Sequence, residues 1–150
     1  MSDLAIYTGD NSEEKQYIVF RINKELFGID IAEINSIILL PKITKVPKMP
    51  EYFEGLISLR GSVLPVINLR KKMNLEDKEF DKDTRVIILN VEDGAMMGVI
   101  VDEVKEVTNF SNDDIKEPSP FLKSEDSLIS GVGRKDEQLI SIFEVEKITA

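Results

Sequence analysis

Two pairs of neighbouring carboxylates, Asp113-Asp114 and Glu144/Glu146, are the chain's best candidates for acid–base work. Cutting a glycosidic bond needs two such groups roughly 5–10 Å apart across a cleft. Neither pair has aromatic companions on which a sugar would stack, because tryptophan is absent and aromatic residues make up 7% of the chain. Asp113 and Asp114 follow Ser111 as acids follow an N-cap, which accounts for them without catalysis. Gly131-Val132-Gly133-Arg134-Lys135 lacks the four-residue spacer of a phosphate loop, so its glycines read as a bulge or a bend requiring positive φ. Glu92-Asp93-Gly94 lacks the alternating oxygen ligands of a calcium loop. With no cysteine and no histidine, thiolate nucleophiles, Ser-His-Asp triads and the usual zinc sets are excluded. The sequence is not that of an enzyme, and no metal or cofactor is expected.

Arg60 is left, at the end of an apolar strand in Leu59-Arg60-Gly61. It is either an ordinary exposed cation or a planar donor fork offered to a carboxylate. Ile34, Val104 and Val107 stand near strand ends beside charged neighbours. If two lobes meet at an angle, such strand ends would line a groove able to take a partner helix.

The elements that must position these residues are short strands. The chain has 150 residues, 42% hydrophobic and 31% charged, enough for one domain or two small lobes. Nineteen basic against 28 acidic residues give a net charge of -9, which repels nucleic acid. Nothing at the N-terminus reads as a targeting signal, and the apolar runs are too short to span a bilayer, so a cytoplasmic location is expected.

Residues 1–15 read as a loose polar tail. Alternation in 16–22 and 27–31 predicts a hairpin, and 34–40 a further strand stopped by Pro41. Residues 51–54 read as a helical turn ending at Gly55. A second hairpin joins 56–60 to 63–69 through Gly61-Ser62, with Pro65 marking an edge or a bulge. Residues 70–75 predict a short basic helix, and 76–83, nearly all charge, a linker. Strands at 86–91 and 96–101 flank a turn at Asp93-Gly94, with Val104 and Val107 continuing the second. Strands at 129–133 and 139–143 and a helical turn at 144–148 complete the chain. The expected fold is all-β: two five-stranded SH3-like barrels with a few short helices, lobe one about 16–75 and lobe two about 84–148, with strand exchange between lobes left open.

Several ordered motifs carry a resemblance: Phe27-Gly28-Ile29-Asp30-Ile31, Ile43-Thr44-Lys45-Val46-Pro47, the block from Gly55-Leu56-Ile57-Ser58-Leu59-Arg60-Gly61 to Asn68-Leu69-Arg70, Gly98-Val99-Ile100-Val101-Asp102-Glu103-Val104, and Ile129-Ser130-Gly131-Val132-Gly133. Over residues 16–148 the chain resembles the CheW family of bacterial chemotaxis coupling proteins. The resemblance implies a non-enzymatic cytoplasmic scaffold that links transmembrane chemoreceptors to the histidine kinase CheA and is recruited to receptor arrays at the inner face of the membrane. It places the receptor tip in the inter-lobe groove at Ile34, Gly55, Arg60, Val104 and Val107. It places the regulatory domain of CheA against Arg85, Ile87 and Phe121.

Three positions depart from the family pattern. The usual Asn-Leu-Arg-Gly reads Ser58-Leu59-Arg60-Gly61, the Asp of the following strand is Asn68, and the acid expected to partner Arg60 falls at Ser36. Glu33 or a receptor carboxylate is then the expected partner of Arg60. Rival readings are a CheW-like domain taken from a larger receiver or kinase fusion, disfavoured by the chain ending at Ala150, and a small ligand-binding barrel, for which no site is legible.

Overall fold

Strand β1 (Glu14–Ile22) is apolar on both faces, and the architecture follows from that. Ile18, Phe20 and Ile22 enter one buried cluster, while Tyr17 and Val19 enter another on the opposite face. A strand with one solvated face would expose one of those sets. β1 is therefore sandwiched.

The computed structural model describes residues 14–117 and 128–148. After β1 come β2 (Glu25–Asp30), a 3-10 turn (Ile31–Glu33), β3 (Ile34–Leu39), β4 (Phe53–Leu59) and β5 (Ser62–Asn68). A helical turn (Leu69–Lys72) leads to β6 (Arg85–Asn90), β7 (Met96–Val101) and β8 (Glu103–Ser111). β9 (Ile115–Lys116), β10 (Ile129–Lys135), β11 (Gln138–Phe143) and a final helical turn (Val145–Ile148) follow. The fold is mainly β, as expected, in a six-stranded sheet ordered β8-β1-β2-β11-β10-β9 and a five-stranded sheet ordered β3-β6-β7-β5-β4.

The sheets do not divide at the charged segment 76–83. β6 and β7, which follow it, pair with β3 and β5, while β1 and β2 pair with β8 and β11. The lobe boundaries of about 16–75 and 84–148 are thereby corrected, because strands cross between the sheets. The cause is visible along the strands. β5, β6 and β7 send Leu64, Val66, Val86, Ile88 and Ile100 into their own lobe, and Ile67, Ile87, Leu89, Val99 and Val101 into a cluster shared with β1 and β2. That shared cluster, with Phe20, Phe27 and Phe143 at ring-centroid spacings of 5.0–6.1 Å, is the largest apolar core among the described residues. Each residue of this kind contributes about 1.5–3 kcal/mol on burial, so the two sheets are held as one body.

Local expectations are also adjusted. Residues 51–52 form a turn and β4 begins at Phe53, whose N–H donates to the Pro50 carbonyl, so no helical turn precedes Gly55. The β4–β5 hairpin turns on Arg60-Gly61, both left-handed (φ 49 and 84), rather than on Gly61-Ser62. β5 is interior to its sheet, but its parallel ladder with β7 begins at Val66, so Pro65 sits where no N–H is needed on that side. Asp93 and Gly94 are left-handed as the turn required, within a loop that also takes in Glu92. Gly131 and Gly133 lie at ordinary φ; a Cβ there would strike Ile115 and the Phe110 ring at 2.6 and 2.7 Å, so close packing and not positive φ demands them.

Candidate functional site

Val104 and Val107 are three residues apart, a spacing that puts strand residues on opposite faces. β8 nevertheless brings them to one face. Val104 is opposite Phe20 and Val107 opposite Ile18, with a register shift between them that leaves Lys105 as the extra residue of a bulge. They do not continue β7. At Asp102 the chain leaves the five-stranded sheet, and β8 forms an edge of the other. Val107 remains 48% exposed while Val104 packs against the shared cluster. Ile34, the first residue of β3, leans on that same cluster from the other sheet. Ile34 and Val104 thus pack against the shared cluster from different sheets, and Val107 stands exposed on the face of β8 that Val104 occupies.

Gly55 belongs elsewhere. It is buried, with φ +147, and a Cβ would lie 2.3 Å from the Thr44 carbonyl oxygen. Its neighbour Leu56 exchanges two backbone hydrogen bonds with Thr44, both 2.8 Å. Gly55 thus admits the 41–48 segment onto β4, where a side chain would strike the Thr44 backbone. Arg60 is exposed on the hairpin turn and has no hydrogen-bond or ion-pair partner among the described residues. The acids around Glu33 are Asp30, Glu144 and Glu146, so the structure does not pair it with Arg60. At Ser36 the Oγ is buried without a hydrogen bond. Asn68 is explained: it donates to Glu54 Oε1 (3.1 Å) and accepts from the Arg70 N–H (2.9 Å), where an aspartate would set two buried carboxylates together.

On the other expected face, Arg85 opens β6 and donates from Nη1 to the Lys82 and Thr84 carbonyls at 2.8 and 2.9 Å. Ile87 is corrected. It is 0% exposed and part of the shared cluster, so no partner reaches it without unfolding the strand. Phe121 lies outside the described residues.

Two features escaped the sequence reading. The first is a cavity of about 940 Å³ between the β4–β5 hairpin, the β6–β7 loop and the final helical turn, with Val63, Pro65, Met96 and Met97 on its walls and Glu33, Glu92 and Glu146 among its lining. Burial, then Asp30 and Glu146, push the Glu33 carboxyl above its ordinary value, with Lys15 opposing. The second is a buried ion pair where the chain crosses between sheets. Arg70 grips Asp102 in a fork, Nε to Oδ1 at 2.9 Å and Nη2 to Oδ2 at 2.7 Å. The Asn23 N–H donates to Asp102 Oδ2 at 2.8 Å and the Asp102 N–H donates to the Arg21 carbonyl. Burial opposes the charged form of Asp102, yet Arg70 and Asn23 hold it below the usual carboxylate range. The Asp102 hydrogen bond raises Arg70 in turn. No local pattern announces a pair separated by that much chain. Ser111 accounts for Asp114 as expected, its N–H and Oγ both donating to the carboxylate (2.9 and 3.1 Å). Among the described residues no cluster of acids is arranged to hold a metal ion, and no helix is long and apolar enough to cross a membrane.

Comparison with known proteins follows the same lines. The model of the CheW-like domain matches residues 16–150. The chain is 34% identical to chemotaxis protein CheW of Helicobacter pylori, over 93% of this chain and 84% of that protein. It is 32% identical to chemotaxis protein CheW of Bacillus subtilis, over 94% and 90%. The crystal structure of the scaffolding protein TtCheW from Thermoanaerobacter tengcongensis superimposes with a TM-score of 0.82 at 34% identity, over 88% of this chain and 90% of that one. With the two crossed sheets, the ordered motifs and these matches in agreement, the chain belongs to the CheW family of chemotaxis scaffold proteins.

Proposed function

We propose that the protein is a non-enzymatic cytoplasmic adaptor that holds chemoreceptors and the histidine kinase CheA together in receptor arrays. The observation that carries this reading is the bulge at Lys105. It turns Val104 and Val107 to one face beside the shared core, leaving an apolar strip open at the seam. An amphipathic helix from a receptor tip can lay its apolar side on such a strip. Ile34 extends the strip on the other sheet, and the unpartnered Arg60 offers a donor fork to a receptor carboxylate. Gly55 serves the site by fixing the backbone at 41–48. The regulatory domain of CheA meets the start of β6 at Arg85, at the opposite end of the β3–β6 ladder from Ile34. Two partners at two sites is what coupling requires, and neither contact calls for bond chemistry.

The test is a pair of calorimetric titrations, with the CheA regulatory domain and with the cytoplasmic fragment of a receptor. Val107→Glu places a charge in the apolar strip and is expected to weaken receptor binding about 30-fold or more. Kinase binding should be unchanged. Arg85→Glu should give the opposite pattern. If neither partner binds the folded wild type, or if each variant weakens both partners alike, the two-site reading is wrong.

A further inference from the structure

The parallel ladder between β5 and β7 begins only at Val66 and Gly98. Before it the two strands part, and the cavity of about 940 Å³ opens between residues 62–65 and 94–97. Glu33 and the start of the final helical turn, Val145 and Glu146, complete its wall. None of the residues placed against the receptor or the kinase lines it. Its volume falls within the range of small-molecule sites, about 300–1,000 Å³, which are mostly apolar with a few convergent polar groups. The walls have that character. Val63, Pro65, Val91, Met96, Met97 and Val145 supply apolar surface, and the two methionines can reshape around a guest. Three carboxylates, Glu33, Glu92 and Glu146, stand among them, and no lysine or arginine does. Glu33 is half-buried and accepts no hydrogen bond among the described residues. The cation that acts on it, Lys15, is largely exposed and ion-paired with Asp30 at 3.9 Å. A carboxylate so placed carries a burial penalty that a cation brought by a ligand removes.

From this arrangement we infer that the cavity is a binding site for a small amphipathic organic cation, an ammonium or guanidinium group on an apolar body. The charged head is set against Glu33, and the body lies on the wall made by Val63, Met96 and Met97. Charge complementarity selects that occupant. An anion would meet three carboxylates and no cationic side chain, and a wholly polar cation would leave the apolar walls unused. Shape selects a compact guest over a strand or a helix, because four separate stretches of chain wall the cavity: Glu33, residues 62–65, residues 90–97 and Val145-Glu146. The site adds ligand binding to the two protein contacts and stands independently of them.

The experiment is titration of the full-length protein with n-hexylammonium chloride, followed by amide NMR and calorimetry, with n-butylammonium, hexanol and hexanoate in parallel. Hexylammonium is expected to saturate with a Kd below about 1 mM and to shift the amides of Val63, Val91, Met97 and Val145. Removing two methylenes, in butylammonium, should weaken binding about tenfold. Hexanol should bind at least about tenfold more weakly than the amine, and hexanoate should not bind. Glu33→Gln should weaken hexylammonium binding at least about tenfold. Glu79→Gln, which removes the same charge outside the cavity, should bind like wild type. Undiminished binding by Glu33→Gln, equal shifts from hexanoate, or no saturation by hexylammonium overturns the inference. Where hexylammonium fails, saturable binding of the capped peptide acetyl-Leu-Arg-Leu-amide would give the cavity to a basic protein segment instead. Cavity shifts that follow protein concentration alone would give it to a second copy of the chain.

Discussion

The two ends of β7 carry acids in opposite circumstances. Past Val101, Asp102 is buried and fully engaged, with Arg70 in a fork and the Asn23 N–H on the same carboxylate. At the Met96 end, Glu33 lines the cavity in the company of Asp30, Glu144 and Glu146, with Lys15 as its cationic counterweight. One end joins the sheets and the other is under like-charge repulsion. The difference is one of compensation: one carboxylate has its counter-ion and hydrogen bonds in place, and the other is half-buried, mostly among acids.

Breaking the closed end has the largest expected effect. Asp102→Ala leaves Arg70 buried without its counter-ion and frees the Asn23 N–H, which costs about 3 kcal/mol in urea unfolding. The double replacement Arg70→Met/Asp102→Leu should cost less than either single change, because no charge is then stranded. A double variant that loses the sum of the two singles would show that the fork is not a coupled unit.

The pH dependence of the same residue sharpens the contrast. The folded-state pKa of Asp102 lies below its unfolded value, so its contribution is present above the unfolded pKa and disappears as pH falls through the folded one. The stability gap between wild type and Asp102→Asn should therefore be constant at neutral pH and close below about pH 4. Equilibrium unfolding at stepped pH measures it. A gap that persists in strong acid would assign the effect to packing and not to charge.

How much of this was legible in the sequence divides along the distance over which each signal acts. Alternation within β1, the Gly61 hairpin and the Ser111 cap depend on residues a few positions apart, and they were readable. The pairing of β1 with β8 was not, because nothing local states which sheet a strand joins. The bulges beside Ile34 and Val104 are likewise silent, though they decide which side chains share a face. One signal was present and unused. The run Val86-Ile87-Ile88-Leu89 is apolar at every position, the mark of a strand buried on both faces, and it identifies Ile87 as core. The family resemblance named Ile87 as a contact, while the burial pattern makes Leu39, opposite Arg85, the exposed apolar residue of that face.

The smallest expected effect tests the open end. Burial, Asp30 and Glu146 raise Glu33 above its ordinary pKa. An acid whose folded pKa exceeds its unfolded one destabilises the fold where it is ionised, and that penalty vanishes as pH falls through the raised value. Glu33→Gln keeps the shape and removes the charge. It should therefore stabilise the protein at pH 7, by less than about 1 kcal/mol, and the gain should fade in acid. This sign is opposite to that of Asp102→Asn, which destabilises at pH 7 and converges on wild type in acid. If Glu33→Gln is destabilising at pH 7, Glu33 is held by a favourable contact and the two ends of β7 are alike. If the gain appears and fades as stated, the cavity wall keeps a carboxylate that the fold alone would be better without, and the reason for its presence lies in what approaches that wall.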